Sequence, residues 1–324
     1  MAWYDARKRD LPWRRKVGPY SAWISEIMLQ QTTVATVVLK FERFLARFPN
    51  IQALAAASEE DVLAGWAGLG YYSRARNLLA AARKITGEMG GRFPSDYEGI
   101  LSLPGVGRYT AGAIGSIAFG LRRPVLDGNV MRVFSRWFAV QDNLKDAATQ
   151  KKLWAIAEKL VPAARPGDWN QALMELGATV CLPENPKCFE CPVSSHCLAF
   201  SRKIQDRLPV VAARREAVSL RWTCLWIEKN GKIILWKRSQ DERFLKGLWG
   251  FPEARHLRVK PGALLKTTAH SITHHRITAE LRRASAPKKI PAQAAWIAKE
   301  KLSRLLVSSL WIKLLGKNRS APQL

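Results

Sequence analysis

The chain has 324 residues, 48% of them hydrophobic and 24% charged, which describes an ordinary globular protein long enough for two domains. No run of about 18 uncharged apolar residues occurs, so no membrane-spanning helix is expected. Lys and Arg number 52 against 26 Asp and Glu, and a net charge of +26 points to a polyanionic partner, most simply nucleic acid.

The charge is uneven. Residues 206–324 hold 25 basic and 8 acidic side chains, whereas residues 1–205 hold 27 and 18. The shorter segment is the more basic, so both segments are expected to grip the polyanion. Met1 leads into Asp5, Arg7, Lys8 and Arg9 without the apolar stretch of a secretory leader, and a reducing cytoplasm is the expected compartment.

Residues Ser21 to Phe48 read as one helix, with Trp23, Ile24, Ile27, Met28 and Val34 to Leu45 recurring near a 3.6-residue period. Ser21, after Pro19-Tyr20, suits the N-cap. Glu26 lies in the apolar part of this helix, and Gln30 and Thr33 continue a polar stripe from it. A carboxyl buried there has a raised pKa and can act as a general acid. An exposed or structurally hydrogen-bonded glutamate would look the same. Further helices are expected at 51–56, 59–66, 73–87, 96–101, 108–120, 129–139, 147–160 and 168–180, separated by Gly or Pro. No strand-like alternation interrupts them, so residues 1–200 are expected to be all-α.

Two turns in this region stand out. Leu103-Pro-Gly-Val-Gly-Arg108 precedes a small-residue helix from Tyr109, and Gly105 and Gly107 there can present backbone N–H groups to a phosphate. An ordinary tight turn uses the same residues. In Leu126-Asp-Gly-Asn-Val130, Asp127 precedes a helix and is a natural N-cap. The Gly-Asn after it leaves room for a ligand, so the same carboxylate can cap and face a substrate.

Cys181, Cys188, Cys191 and Cys197 form a C-x6-C-x2-C-x5-C ladder that holds four of the five cysteines within 17 residues. Thiols gathered so closely mean a metal site or a disulfide knot, and a reducing compartment favours the metal. Zinc modules usually pair two C-x2-4-C knuckles, whereas this ladder has one, flanked by looser single ligands. That suits an iron–sulfur cluster, with zinc as the alternative. The fifth cysteine, Cys224, falls in a predicted strand and reads as core.

The character changes after the cysteines. Residues 201–218 are charged and weakly periodic and read as a linker. Trp222–Glu228 and Lys232–Arg238 read as strands joined at Asn230-Gly231, a strong hairpin signal. A turn-rich Gly247-Leu-Trp-Gly-Phe-Pro252 follows, then a strand at Ser271–Leu281 and a helix at Ala294–Leu315. The leucine stripe of that helix suits packing on a sheet better than lying on a membrane. His270, His274 and His275 have no cysteine or carboxylate at ligand spacing, so no metal is expected there.

Six motifs in order between Trp3 and Phe200 resemble the MutY family of adenine DNA glycosylases, within the endonuclease III superfamily. They are Leu11-Pro-Trp-Arg14, Ser25-Glu-Ile-Met-Leu-Gln-Gln-Thr32, Gly68-Leu-Gly-Tyr-Tyr72, Leu103-Pro-Gly-Val-Gly107, Leu126-Asp-Gly-Asn-Val130 and the cysteine ladder. The resemblance implies a mainly α, two-lobed helix–hairpin–helix glycosylase fold over residues 1–200 with an iron–sulfur lobe at 181–197. After the linker it implies a Nudix-like α+β domain over 219–324 that recognises 8-oxoguanine. It implies a [4Fe–4S] cluster on the four cysteines, and double-stranded DNA containing an adenine mispair as the partner of a monomer acting on the nucleoid.

By the same resemblance Glu26 protonates the flipped adenine, Asp127 stabilises the sugar cation, Tyr109 and Asn129 hold this centre, and Arg14 supports it. Gln30, Gln31 and Tyr71 lie against DNA, with Gln31 and Tyr71 wedged around the opposite base, and Gly105 and Gly107 grip the backbone. Superfamily members that also cleave the backbone carry lysine where this chain has Tyr109, so a monofunctional enzyme is implied. Thr273 and His274, within Ile272-Thr-His274, match a family Phe-Ser-His, with the aromatic residue replaced. The glutamate-rich helix of active Nudix enzymes is absent. An endonuclease III-like remover of oxidised pyrimidines is opposed by Tyr109, and a non-catalytic DNA-binding protein by the joint presence of Glu26 and Asp127.

Overall fold

The computed structural model describes residues 1–15, 18–211 and 216–316. Its contacts divide the chain into two compact units, Met1–Ala56 with Asn77–Ala213, and Ala57–Arg76 with Arg214–Leu324. In chain order the first thirteen helices are α1 (Ala2–Arg7), α2 (Pro12–Arg15), α3 (Pro19–Leu29), α4 (Val34–Arg47), α5 (Ile51–Ala56), α6 (Glu59–Gly65), α7 (Ser73–Glu88), α8 (Tyr97–Leu101), α9 (Arg108–Phe119), α10 (Gly128–Trp137), α11 (Ala147–Leu160), α12 (Pro166–Thr179) and α13 (Leu198–Ser201). Among the described residues before Val218 there is no strand, as the uninterrupted 3.6-residue periodicity predicts.

The single helix expected over 21–48 is two. It breaks at Gln30–Thr33, where Gln31 adopts a left-handed φ of 55°. Gly18 rather than Ser21 caps α3, with Pro19 at the first helical position. All eight residues from Ser21 to Met28 are buried, so α3 runs through the interior rather than along its edge. By contrast α4 buries only the Val37, Phe41, Phe44 stripe. Val133, Phe134, Leu153, Leu173 and Leu176 form a core between α10, α11 and α12, each such side chain contributing about 1.5–3 kcal/mol. α8 and α9 flank a turn anchored by buried Leu103 and Val106. Gly105 in that turn has φ 77°, and a Cβ on it would lie 2.6 Å from the Asn77 side chain, so glycine is required there.

Glycines also let α9, α10 and α12 approach closely. A Cβ on Gly112 of α9 would fall 2.2 Å from the Pro124 carbonyl, and one on Gly177 of α12 would fall 2.6 Å from Asn129 Cβ. Of the expected linker, Leu208 is buried in the first unit and its carbonyl accepts from Arg136 Nε. Residues 212–215 of that linker lie outside the described residues.

The second unit contains β1 (Val218–Trp226), β2 (Glu228–Lys229), β3 (Lys232–Lys237), β4 (Trp249–Gly250), β5 (Leu264–Ile272), β6 (His275–Arg283), β7 (Ala294–Ala298), and helices α14 (Ala254–Leu257), α15 (Leu302–Leu305) and α16 (Ser309–Leu315). One sheet has the order β1-β6-β5, with β1 parallel and β5 antiparallel to β6. In the other, β3 pairs antiparallel with β2, β4 and β7. Cys224, Ile233, Phe251, Leu281 and Trp311 share its core. The Asn230-Gly231 hairpin forms as expected, with φ of 50° and 71° at the two turn residues.

Three expectations are corrected here. The predicted strand Trp222–Glu228 is divided between the two sheets. Ser271–Leu281 is not one strand but the meeting of β5 and β6 across Thr273-His274, a pair without the glycine that usually marks such a turn. The helix expected over Ala294–Leu315 begins as β7, because Ala294, Trp296 and Ala298 are taken up by pairing with β3, and only α15 and α16 remain helical. No helix among the described residues is long and apolar enough to cross a membrane.

Candidate active site

Glu26, carried on the interior helix α3, is 5% exposed. It lines a cavity of about 870 Å3 together with Tyr109, Asp127, Asn129, Gln30 and Gln31. Tyr109, in the first turn of α9, donates its phenol proton to Glu26 Oε2 at 2.9 Å, and its oxygen also lies 3.2 Å from Met174 Sδ. Burial pushes the Glu26 carboxyl up to about 7; Tyr109 pulls it down, Asp127 adds to the rise and Arg14 opposes it. A carboxyl poised there can give up a proton at neutral pH.

Asp127 caps α10, its Oδ1 accepting from Val130 N at 2.7 Å and its Oδ2 from Asn129 Nδ2 at 3.1 Å. Capping and facing the cavity are therefore both served by one carboxylate. Burial raises its pKa, and the bonds from Val130 and Asn129 and the Arg132 charge hold the rise back. Two carboxyls in one cavity thus meet different surroundings: few donors for Glu26, several for Asp127. That is the arrangement that separates an acid from a counter-ion.

Arg14 lines the cavity but bonds neither carboxylate. Its guanidinium donates to Glu175 Oε2 at 2.9 Å, Gln171 Oε1 at 3.2 Å and the Arg9 carbonyl at 3.0 Å. Arg9, partly exposed, completes the network on buried Glu175 by donating to both its oxygens at 2.6 and 3.0 Å, so Arg14 acts on Glu26 through its charge. Gln30 Nε2 donates to Thr110 Oγ1 at 3.1 Å beside Tyr109. Gly107, the N-cap of α9, lines the cavity, whereas Gly105 does not.

Sequence reasoning missed Arg9, Glu175, Arg132 and Arg136. Arg132 donates to Asn129 Oδ1 at 2.9 Å and to the Gly177 and Cys181 carbonyls at 2.8 Å each, which ties the Asp127–Asn129 turn to the start of the cysteine segment. Arg136 is buried and donates to the carbonyls of Leu182, Pro183, Gln205 and Leu208, and lies 3.4 Å from Cys181 Sγ. Two arginines four apart among apolar residues of α10 were the available signal. All four ladder cysteines line one small hollow with Arg136, yet among the described residues no three of their Sγ atoms come within 4.8 Å of one another.

Residues 24–159 match the HhH-GPD superfamily of base excision DNA repair proteins. The human adenine DNA glycosylase is 51% identical over 217 residues, 64% of this chain and 40% of that protein. The adenine DNA glycosylase of Buchnera aphidicola from Acyrthosiphon pisum is 39% identical over 246 residues, 73% of this chain and 70% of that protein. The chain belongs to the adenine DNA glycosylase family. Members of this family differ in length, and the chain spans less than half of the mammalian relatives it matches. A thermostable thymine-DNA glycosylase has the same fold with a TM-score of 0.56 at 31% identity, over 62% of this chain and 93% of that one. A non-covalent endonuclease III–DNA complex aligns at a TM-score of 0.51 and 23% identity, over 59% of this chain and 87% of that one, which establishes likeness of fold.

Tyr71, Thr273 and His274 fall in the second unit of this adenine DNA glycosylase family member. Tyr71 is 46% exposed with φ 45°. Arg74 braces it, donating to the Leu69 and Gly70 carbonyls at 2.9 and 3.2 Å and lying over the Trp66 and Tyr71 rings. Thr273, at the β5–β6 turn, has φ 53°. Gln31, Tyr71 and Thr273 are thus all non-glycine residues held left-handed, a strain that persists where the surroundings demand one orientation. Glu242, Glu253 and His256 bring ligand atoms within 4.8 Å of one another, but Arg238 already pairs with both carboxylates and serves as their cation.

Proposed function

We propose that this protein is a monofunctional glycosylase that hydrolyses the N-glycosidic bond of adenine mispaired with 8-oxoguanine or guanine in double-stranded DNA. The observation that carries the reading is the buried Glu26, raised to about 7, sharing a cavity with a multiply hydrogen-bonded Asp127. Adenine is a poor leaving group as an anion. Glu26 donates its proton to a ring nitrogen, the C1′–N9 bond breaks with both electrons passing to the base, and Asp127 offsets the positive charge left on the sugar. Water then adds to C1′ and its proton returns to Glu26. Flipping the adenine into the cavity costs a few kcal/mol, which residues filling the vacated stack, Gln31 and Tyr71, would offset. Tyr109 supports single-function chemistry, because a phenol cannot form the imine that lyase members make through an amine.

The C-x6-C-x2-C-x5-C spacing, with one C-x2-C flanked by looser single ligands, supports a [4Fe–4S] cluster over zinc. When bound, it would cross-link Cys181, Cys188, Cys191 and Cys197 and hold the Leu182–Lys187 loop in shape for DNA. The C-terminal α+β unit is read as a Nudix-like domain that reports on the opposite base through the Thr273-His274 turn, and the protein as a monomer on its DNA.

The test is single-turnover adenine release from a duplex bearing adenine opposite 8-oxoguanine. Glu26→Gln should slow release by about 100-fold or more, and borohydride should trap no efficient covalent complex with the native protein. Unchanged release by the variant would remove Glu26 from the chemistry.

A further inference from the structure

Tyr109 has one phenol proton and two acceptors within reach of it. Glu26 Oε2 lies 2.9 Å from the phenol oxygen, and Met174 Sδ, carried on α12, lies 3.2 Å from it. All three side chains line the same cavity. Burial first, then the charges of Glu26 and Asp127, push the Tyr109 pKa well above 10, so the phenol keeps its proton near neutrality. A thioether sulfur only accepts, and weakly, whereas an ionised carboxylate is a strong acceptor.

The direction of the phenol proton therefore depends on the charge of Glu26. Against an ionised Glu26 it points to Oε2, and the sulfur receives nothing from it. A neutral carboxyl with its proton on Oε2 is itself a donor toward the phenol oxygen. The phenol proton is then displaced, and Met174 Sδ is the acceptor to which it can turn. The result is an unbroken chain, from Glu26 Oε2–H to the Tyr109 oxygen and from Tyr109 O–H to the Met174 sulfur. A side chain at 174 without a lone pair would leave the displaced proton unbonded, at the cost of one hydrogen bond. We infer that Met174 is a positioning residue whose thioether takes the Tyr109 proton when Glu26 is protonated, and so keeps the acid loaded before adenine enters. This deepens the glycosylase reading above and rests on it for the acid role of Glu26. The other groups that act on Glu26 come from elsewhere. Asp127, at the start of α10, adds to the rise of its pKa, and Arg14 of α2, paired with Glu175 of α12, opposes it. α4 buries only Val37, Phe41 and Phe44, none of which titrates. Removing the sulfur leaves those charges as they are and acts through Tyr109 alone.

The test titrates the Glu26 carboxyl in the full chain without DNA, from its infrared C=O band, each protein being compared with its own Glu26→Gln counterpart. Met174→Leu conserves volume and should lower the midpoint from about 7 by about half to one pH unit, the weight of one hydrogen bond. Met174→Gln puts an amide oxygen in place of the sulfur and should hold the midpoint at or above its native position. In a Tyr109→Phe background, Met174→Leu should move the midpoint no further. Single-turnover release of adenine opposite 8-oxoguanine should begin its alkaline fall at the same lower pH in Met174→Leu. A native midpoint in Met174→Leu would overturn the inference. So would a fall in Met174→Gln as large as in Met174→Leu, or an equal shift in the Tyr109→Phe background, where no phenol carries the effect. The titration needs no substrate, so failure of the glycosylase reading is seen in the release assay and failure of the proton chain in the carboxyl midpoint.

Discussion

Glu26 illustrates how one residue acquires a property that its identity does not supply. An exposed glutamate is about 99% ionised at pH 7 and has almost no proton to give. With its carboxyl at about 7, Glu26 is half protonated at neutrality. Base release should therefore fall about tenfold per pH unit above pH 7, and single-turnover rates between pH 6 and 9 check this. A rate that stays flat to pH 9 would contradict the acid role. The same burial costs stability. Because the folded-state pKa lies above the unfolded value of 4.5, the folded protein holds the proton more tightly, and the associated stability is full below about pH 4.5 and lost as pH rises through about 7. Glu26→Gln escapes that loss and should be more stable than the native protein at pH 8, by something on the order of 3 kcal/mol, yet no more stable at pH 4. Thermal unfolding at the two pH values reads the difference. The motif around Glu26 was legible along the chain. Its proton affinity was not, because it depends on Tyr109, Asp127 and Arg14 arriving from other elements.

At the scale of elements, packing distances place the two carboxylates. The Asp127–Asn129 turn rests directly on Gly177 of α12, where a Cβ would lie 2.6 Å from Asn129 Cβ. Gly177→Ala should push this turn outward and lower the single-turnover rate by about tenfold or more while the helical content stays native. Full activity in a folded variant would mean that this contact does not position Asp127. Helices read from 3.6-residue periodicity matched the structure closely where Gly or Pro marked their ends, as at 108–120, where Gly107 and Gly120 cap the two ends of α9. The break inside the expected 21–48 helix was illegible, since Gln30-Gln31-Thr32-Thr33 contains neither residue and Gln31 adopts a left-handed φ of 55° that its identity does not favour. The two hairpins make the same contrast. Asn230-Gly231 announces its turn by local conformational preference, whereas Thr273-His274 turns against it.

For the whole molecule the net charge of +26 is the dominant fact. If six or so phosphates are neutralised on binding, affinity for duplex DNA should fall by about three orders of magnitude between 50 and 200 mM salt, at about 0.9 log units per phosphate per log unit of salt. Equilibrium titrations across that range give the slope, and flat binding would contradict the polyanion reading. The division of the chain into units was only partly readable. Residues 57–76 belong with the C-terminal unit because Tyr72 donates to the Val307 carbonyl at 2.8 Å and Arg304 pairs with Asp61 at 2.7 Å. No local pattern reveals bonds across more than 230 residues. What could be read along the chain was whatever rests on local preference or on fixed spacing: the helical first half, the Asn-Gly hairpin, the cysteine ladder and the two carboxylates. What needed the folded chain was whatever rests on surroundings: the raised proton affinity of Glu26, the hydrogen bonds that Asp127 accepts, and the Glu175 and Arg132 networks. Burial and donor count set those properties, and both come from residues that are distant in sequence and adjacent only once the chain has folded.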